Sequence, residues 1–160
     1  MEKLDFLGKI GEDGKLQVVE TSDDIKDAHL KKSESYLSSS KILRDNDKLE
    51  EAVSIAYYSM YYSALALLFK AGIKSENHTA TIIVLHDVFG LDSTDLQQAK
   101  RERVDKQYYI DFKITKDDTK RLITKAERFN ARIYDFIQKL TNEDIDRYRQ
   151  KVKGMIDTNK

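Results

Sequence analysis

The chain has 160 residues, no cysteine, no proline, and 28 basic against 28 acidic side chains. That length supports one hydrophobic core without disulfides or a structural metal, and the missing cysteines exclude a disulfide framework, a thiolate metal site and a cysteine nucleophile. Balanced charge gives no whole-molecule steering toward nucleic acid or anionic lipid, so any such role rests on a local patch.

The N-terminus carries Asp5 beside Phe6 and Leu7, without the sustained apolar stretch of a secretory signal. Phe6 to Ile10, the Gly11-Glu12-Asp13-Gly14 turn signal and Leu16 to Val19 suggest a short hairpin or arm. A first helix is expected after the capping cluster Thr21-Ser22-Asp23, running to about Leu43 with Ile25, Ala28, Tyr36, Ser39 and Leu43 inward. A second follows Asn46-Asp47, with Asp47 and Glu50 spaced as a capping box. Its face reads Leu49, Ala52, Val53, Ala56, Tyr57, Met60, Tyr61, Ala64, Leu65, Leu68, and its back is also poor in charge. Such a helix is covered on more than one side, which makes it central. The longest uninterrupted apolar run, Ala64 to Phe69, falls far short of the roughly 20 residues of a membrane span.

Gly72 terminates the second helix, and Lys74 to Asn77 reads as a loop. A third begins near His78-Thr79 with Ile82, Ile83 and Phe89 inward, breaks at Gly90-Leu91-Asp92-Ser93, and resumes through Leu96 toward Tyr109. A fourth starts at Thr115, with Asp118 three residues on, and a last amphipathic segment starts at Asn142. The expected fold class is all-α: an antiparallel up-down four-helix bundle with an extra C-terminal helix and a short N-terminal hairpin or arm. The parts are residues 1–21 for the arm, 22–140 for the bundle and 141–160 for the C-terminal helix and tail. The expected location is the cytoplasm, with no membrane partner.

Four tyrosines of the second helix (Tyr57, Tyr58, Tyr61, Tyr62) form two adjacent stripes, since residues four apart stack on one face. Core packing plus a dimer contact is the expected use, because a tyrosine buries its ring and keeps a polar tip for a partner. Tyr58, Ser59, Tyr62 and Ser63 are the candidate homodimer interface. His29, His78 and His86 have no metal-ligand spacing, so no metal or cofactor is expected. His86 reads as a hydrogen-bonded core residue. His78 stands at a helix N-terminus, where backbone donors favour anions and an imidazole can meet a phosphate.

The segment Lys100-Arg101-Glu102-Arg103-Val104-Asp105-Lys106-Gln107-Tyr108-Tyr109 is the other candidate. On a helix, Arg101, Asp105 and Tyr108 share one face while Arg103 points away. Spacing alone favours an inert, solvated face with an Arg101–Asp105 pair worth a few tenths of a kcal/mol, since exposed charge pairs are common and usually inert.

Ala56-Tyr57-Tyr58-Ser59-Met60-Tyr61-Tyr62-Ser63-Ala64, then Ala66-Leu67-Leu68, Gly72 and His78, together with Arg101-Glu102-Arg103-Val104-Asp105 and Ala126 with Phe129, resemble the HEPN domains of small stand-alone archaeal and bacterial proteins. The resemblance covers about residues 25 to 140. It implies a dimerising antiparallel bundle, often paired with a minimal nucleotidyltransferase, in many members as toxin and antitoxin. Active HEPN toxins carry an arginine, four to six residues, then a histidine, two such motifs meeting across a dimer to cut RNA without metal. Here Lys106, Gln107 and Tyr108 occupy the places for that histidine.

Cleavage by the 2′-hydroxyl needs a proton acceptor near neutral pH and a cation on the phosphate. Arg101 can be the cation, with Asp105 orienting it. A phenol such as Tyr108, with an ordinary pKa of about 10, needs roughly 4 kcal/mol to equal an imidazole. His78 can replace the missing histidine where the fold brings it to the arginine. The expected function is therefore action in RNA or nucleotide biology, as a metal-independent ribonuclease subunit with Arg101, Asp105 and Tyr108 catalytic. The alternative is a noncatalytic dimer that binds a nucleotide, RNA or a nucleotidyltransferase through His78, Lys100, Arg103 and Tyr109.

Overall fold

The computed structural model describes residues 2–108 and 113–157, with only the backbone of 105–108. In chain order the elements are α1 (Glu2–Glu12), β1 (Leu16–Val18), α2 (Asp23–Asp45), α3 (Leu49–Lys70), β2 (Ile73–Ser75), α4 (His78–Asp87), α5 (Thr94–Tyr108), α6 (Lys116–Lys139) and α7 (Asn142–Ile156). The fold is an all-α bundle with one small two-stranded sheet among the described residues.

Polar side chains at the helix starts explain most of these boundaries. Ser22 accepts from the Ile25 amide at 3.1 Å and opens α2. Thr115 with Asp118, and Thr141 with Asp144, form reciprocal capping boxes at α6 and α7. The box expected at Asp47 and Glu50 does not form: Asp47 takes a left-handed backbone (φ 57°) to turn the chain, so Lys48 becomes the cap and offers no side-chain bond.

α3 is the central helix, packed by α2, α5 and α6. It is long and apolar enough by length and composition to cross a membrane, yet most of that stretch is buried inside the fold. Its contact with α2 is close because both sides are serines. The Ser33 hydroxyl donates to the Ser59 carbonyl and the Ser59 hydroxyl to the Ser33 carbonyl, each at 2.7 Å. Asn130 of α6 donates to Ser59 Oγ at 3.0 Å, and Ser63 reaches Asn130 Oδ1 at 2.8 Å. The close approach that small residues allow at Ser59 and Ser63 is therefore made inside the chain, and these two buried residues are not available to a second copy. On α2 the inward stripe is Ser33, Tyr36, Leu37 and Ser40. Ile25 and Ala28, expected inward, face solvent, because the serine contact sets the helix's rotation.

The N-terminal segment departs from the expected hairpin. Leu7 and Ile10, three apart, share a helical face that α1 buries, and α1 packs on α7. β1 then pairs antiparallel with β2, which starts 57 residues on, placing Leu16 opposite Ser75 and Val18 opposite Ile73. Lys74, expected in a loop, is thus a strand residue. The Glu76 amide adds a 2.7 Å bond to the Lys15 carbonyl, so the N-terminal segment fixes the stretch that leads into α4.

Gly72, just beyond α3, is the hinge of this arrangement. It has φ 72°, its carbonyl accepts from the Val19 amide at 2.8 Å, and the Arg149 guanidinium of α7 donates to the Val19 carbonyl beside it. A Cβ at Gly72 would overlap that guanidinium and come 2.6 Å from the Val19 oxygen. Gly72→Ala is expected to lower unfolding free energy by about 1–3 kcal/mol, read by urea denaturation. Gly154→Ala, where a Cβ meets nothing within 4 Å, is expected to be neutral or stabilising by up to about 1 kcal/mol.

Candidate functional site

The site forms where the inner tyrosine stripe of α3 meets the start of α4 and the last turns of α5. Asn77 caps α4, its side chain accepting from the Ala80 amide at 2.9 Å, and this places His78 in the first turn. The Thr81 hydroxyl lies 2.8 Å from Ser75 Oγ and 3.0 Å from the Asn77 carbonyl, tying that turn to β2.

The His78 ring is held on three sides. It stacks on Tyr61 with centroids 3.9 Å apart and planes 17° from parallel, and meets the edge of Tyr58 at 6.3 Å. Its Nδ1 lies 2.6 Å from the hydroxyl of Tyr57, a wholly buried side chain. Burial pushes the Tyr57 phenol well above the ordinary range, so it stays protonated, and burial raises Tyr61 as well. His78 moves the other way: desolvation foremost, then the charges of Lys100 and Arg103, lower its pKa and keep it neutral near pH 7.

Two cations from α5 stand over this ring system. The Arg103 guanidinium carbon is 4.9 Å from the Tyr58 ring centre and 5.7 Å from that of Tyr57. Lys100 Nζ donates to Thr79 Oγ1 at 3.1 Å. The arrangement joins an oriented imidazole, two cations and a helix N-terminus, which together can hold an anion.

Of the residues singled out from the sequence, His78, Lys100 and Arg103 come together. Arg101 is exposed and lines an adjoining groove that shares Thr79 and Lys100 with the site. The side chains of Asp105 and Tyr108, and Tyr109 altogether, lie outside the described residues. Tyr58 and Tyr62 are half-buried on α3. Tyr62 carries Lys32 Nζ at 4.5 Å and the edge of Tyr36 at 5.1 Å. His86 is exposed and bonded to Asp87 at 2.7 Å, not a core residue, because its position falls on the open side of the Ile82–Ile83 face. Among the described residues, no three His, Asp or Glu side chains converge as metal ligands.

The family model for the HEPN domain matches residues 27–140, from α2 to the end of α6. The chain belongs to the HEPN domain family. UPF0332 protein PH1297 of Pyrococcus horikoshii is 44% identical over 54 residues, which are 34% of this chain and 38% of that relative's length. The protein called "Putative toxin MJ0605" of Methanocaldococcus jannaschii is 29% identical over 108 residues, 63% of this chain and 80% of its own. α1, β1 and α7 lie outside the HEPN match, although β1 supports the segment that carries His78.

Sequence reasoning missed Tyr57 and Tyr61 as the residues that position His78. The available signal was their four-residue spacing on the inner face of α3, beside a polar residue at the next helix start.

The lowered His78 pKa has a stability consequence. Below an ordinary imidazole pKa of about 6.5, the unfolded chain binds a proton that folded His78 resists, so acidification favours unfolding. His78 is expected to titrate below the ordinary value in an NMR pH series. Its contribution to stability is present above about pH 6.5 and is lost as pH falls through the folded pKa. His78→Gln removes that part of the acid slope.

Proposed function

We propose that this HEPN protein engages the phosphate of RNA or of a nucleotide at the His78 site, in a toxin-like role, and does so as a binding module. The observation that carries the reading is the 2.6 Å contact between Tyr57 and His78 Nδ1. The buried phenol keeps its proton, and in this reading it donates to Nδ1, so the ring presents Nε2–H as a donor at its other edge. A donor N–H flanked by Arg103 and Lys100 recognises a phosphate oxygen. It does not accept a proton from a 2′-hydroxyl.

A second reading, a metal-independent ribonuclease, draws support from the neutral state of His78, which a base must have at pH 7. It requires the other tautomer, with Nδ1–H donating to the Tyr57 oxygen and Nε2 free. The arginine assigned by family resemblance, Arg101, then acts from the adjoining groove with Asp105 and Tyr108. In both readings the half-buried Tyr58 and Tyr62 serve a homodimer contact, and a nucleotidyltransferase antitoxin is the partner that the family suggests.

End-labelled RNA incubated with the protein in excess EDTA separates the two. The module reading expects binding without cleavage, weakened roughly 10- to 100-fold in His78→Ala and Arg103→Ala, and also weakened in Tyr57→Phe, which frees the tautomer. Cleavage lost in His78→Ala would establish the ribonuclease instead. A folded protein that neither binds nor cuts RNA, and binds no nucleotide, refutes both readings.

A further inference from the structure

Beside the His78 site, α4 and α5 enclose a groove of about 620 Å³. One wall is a face of α4: Thr79, Ile82, Ile83 and His86 are spaced by three and four residues and point the same way. The other wall comes from α5, with Gln97, Lys100 and Arg101, and the far end is closed by Lys3 of α1. Lys3 Nζ lies 2.9 Å from Asp87 Oδ2, and His86 Nδ1 lies 2.7 Å from the other oxygen of that carboxylate. The groove thus sets three cations against one carboxylate that is already paired, beside the isoleucines of the α4 wall. It shares Lys100 and Thr79 with the phosphate site.

We propose that this groove continues the His78 site as a track for one strand of RNA, about three nucleotides long, with Lys3 of the N-terminal helix as its distal phosphate contact. The inference rests on the phosphate reading of His78. Thr79 to His86 spans about 10 Å of helix, about three steps of a stacked strand at roughly 3.4 Å each. The groove is open to solvent between α4 and α5, and its volume of about 620 Å³ suits a short single strand rather than a duplex. The partly exposed Ile83 of the α4 wall suits the face of a base, and the cations at both ends suit its flanking phosphates. Lys3 lies outside residues 27–140, the part of the chain that matches the family, so the distal contact is not part of the family match.

The test is fluorescence anisotropy in EDTA with labelled single-stranded RNA of two and of six nucleotides, for wild type, the double variant Lys3→Gln/Arg101→Gln, and His78→Ala. Lys3 and Arg101 are both exposed, so the double variant keeps its fold, which circular dichroism checks. Wild type is expected to bind the hexanucleotide more tightly than the dinucleotide. The double variant is expected to lose about tenfold for the hexanucleotide only, and to lower the slope of log affinity against log salt by roughly 1.4. His78→Ala is expected to weaken both RNAs. Equal losses for the two lengths, or an unchanged salt slope, would overturn the track and leave the His78 reading standing. If neither RNA binds folded wild type, the track and RNA as the ligand of the His78 site fall together.

Discussion

The structure depends on one constraint: α3 is apolar around nearly its whole circumference and must be covered on every side. A helix of that kind is stable in water only when its neighbours take up the surface, and each neighbour here does so by a different means. α2 approaches through the reciprocal serine bonds of Ser33 and Ser59, which allow a close backbone contact without leaving a buried polar atom unpaired. α6 uses Phe129, Ile133 and Ile137 for burial and Asn130 to complete the serine network. α5 closes the remaining side through Leu96 and Ala99, and Arg103, a turn further on, lies across the tyrosines of α3.

The candidate site follows from this packing. Tyr57 and Tyr61 are core residues first, and their burial is what keeps their protons in place and their rings fixed. His78 then has one low-energy orientation, stacked on Tyr61 with Nδ1 against the Tyr57 hydroxyl. The histidine that active family members carry on the helix with the arginine is absent at Lys106, Gln107 and Tyr108. An imidazole nevertheless reaches the α5 cations, from the start of the preceding helix. It comes with a different hydrogen-bonding environment, its Nδ1 lying 2.6 Å from the hydroxyl of the buried Tyr57.

The sequence made the helices legible because periodicity and caps act locally. The boxes at Thr115–Asp118 and Thr141–Asp144, the stop at Gly72 and the break near Gly90 all depend on a few neighbouring residues. Pairings over long sequence distance were not legible. Nothing in Leu16-Gln17-Val18 states that its partner is Ile73-Lys74-Ser75, and a turn signal nearby suggested a hairpin instead. The same limit applied to the site. His78 could be marked as a residue at a helix start, whereas the choice of Arg103 over Arg101 depends on how α5 rotates against α3, which Leu96 and Ala99 decide.

Placement of charge reconciles a neutral chain with a cluster of cations at the start of α4. The first turns of α1, α2, α3, α5, α6 and α7 each contain an acidic residue, so those helix dipoles are answered from within the chain. The first turn of α4 contains none. Its positive end is left to His78, and the charges of Lys100 and Arg103 add to the field there. The acidic residues that balance the composition are spent elsewhere, at caps and in surface pairs such as Lys70 with Asp23 and Lys139 with Asp135. Zero net charge therefore says nothing against a phosphate ligand. The molecule is neutral as a whole because its acids are distributed; the first turn of α4 holds none of them, and Glu76, just before its cap, is paired with Lys74 at 3.3 Å.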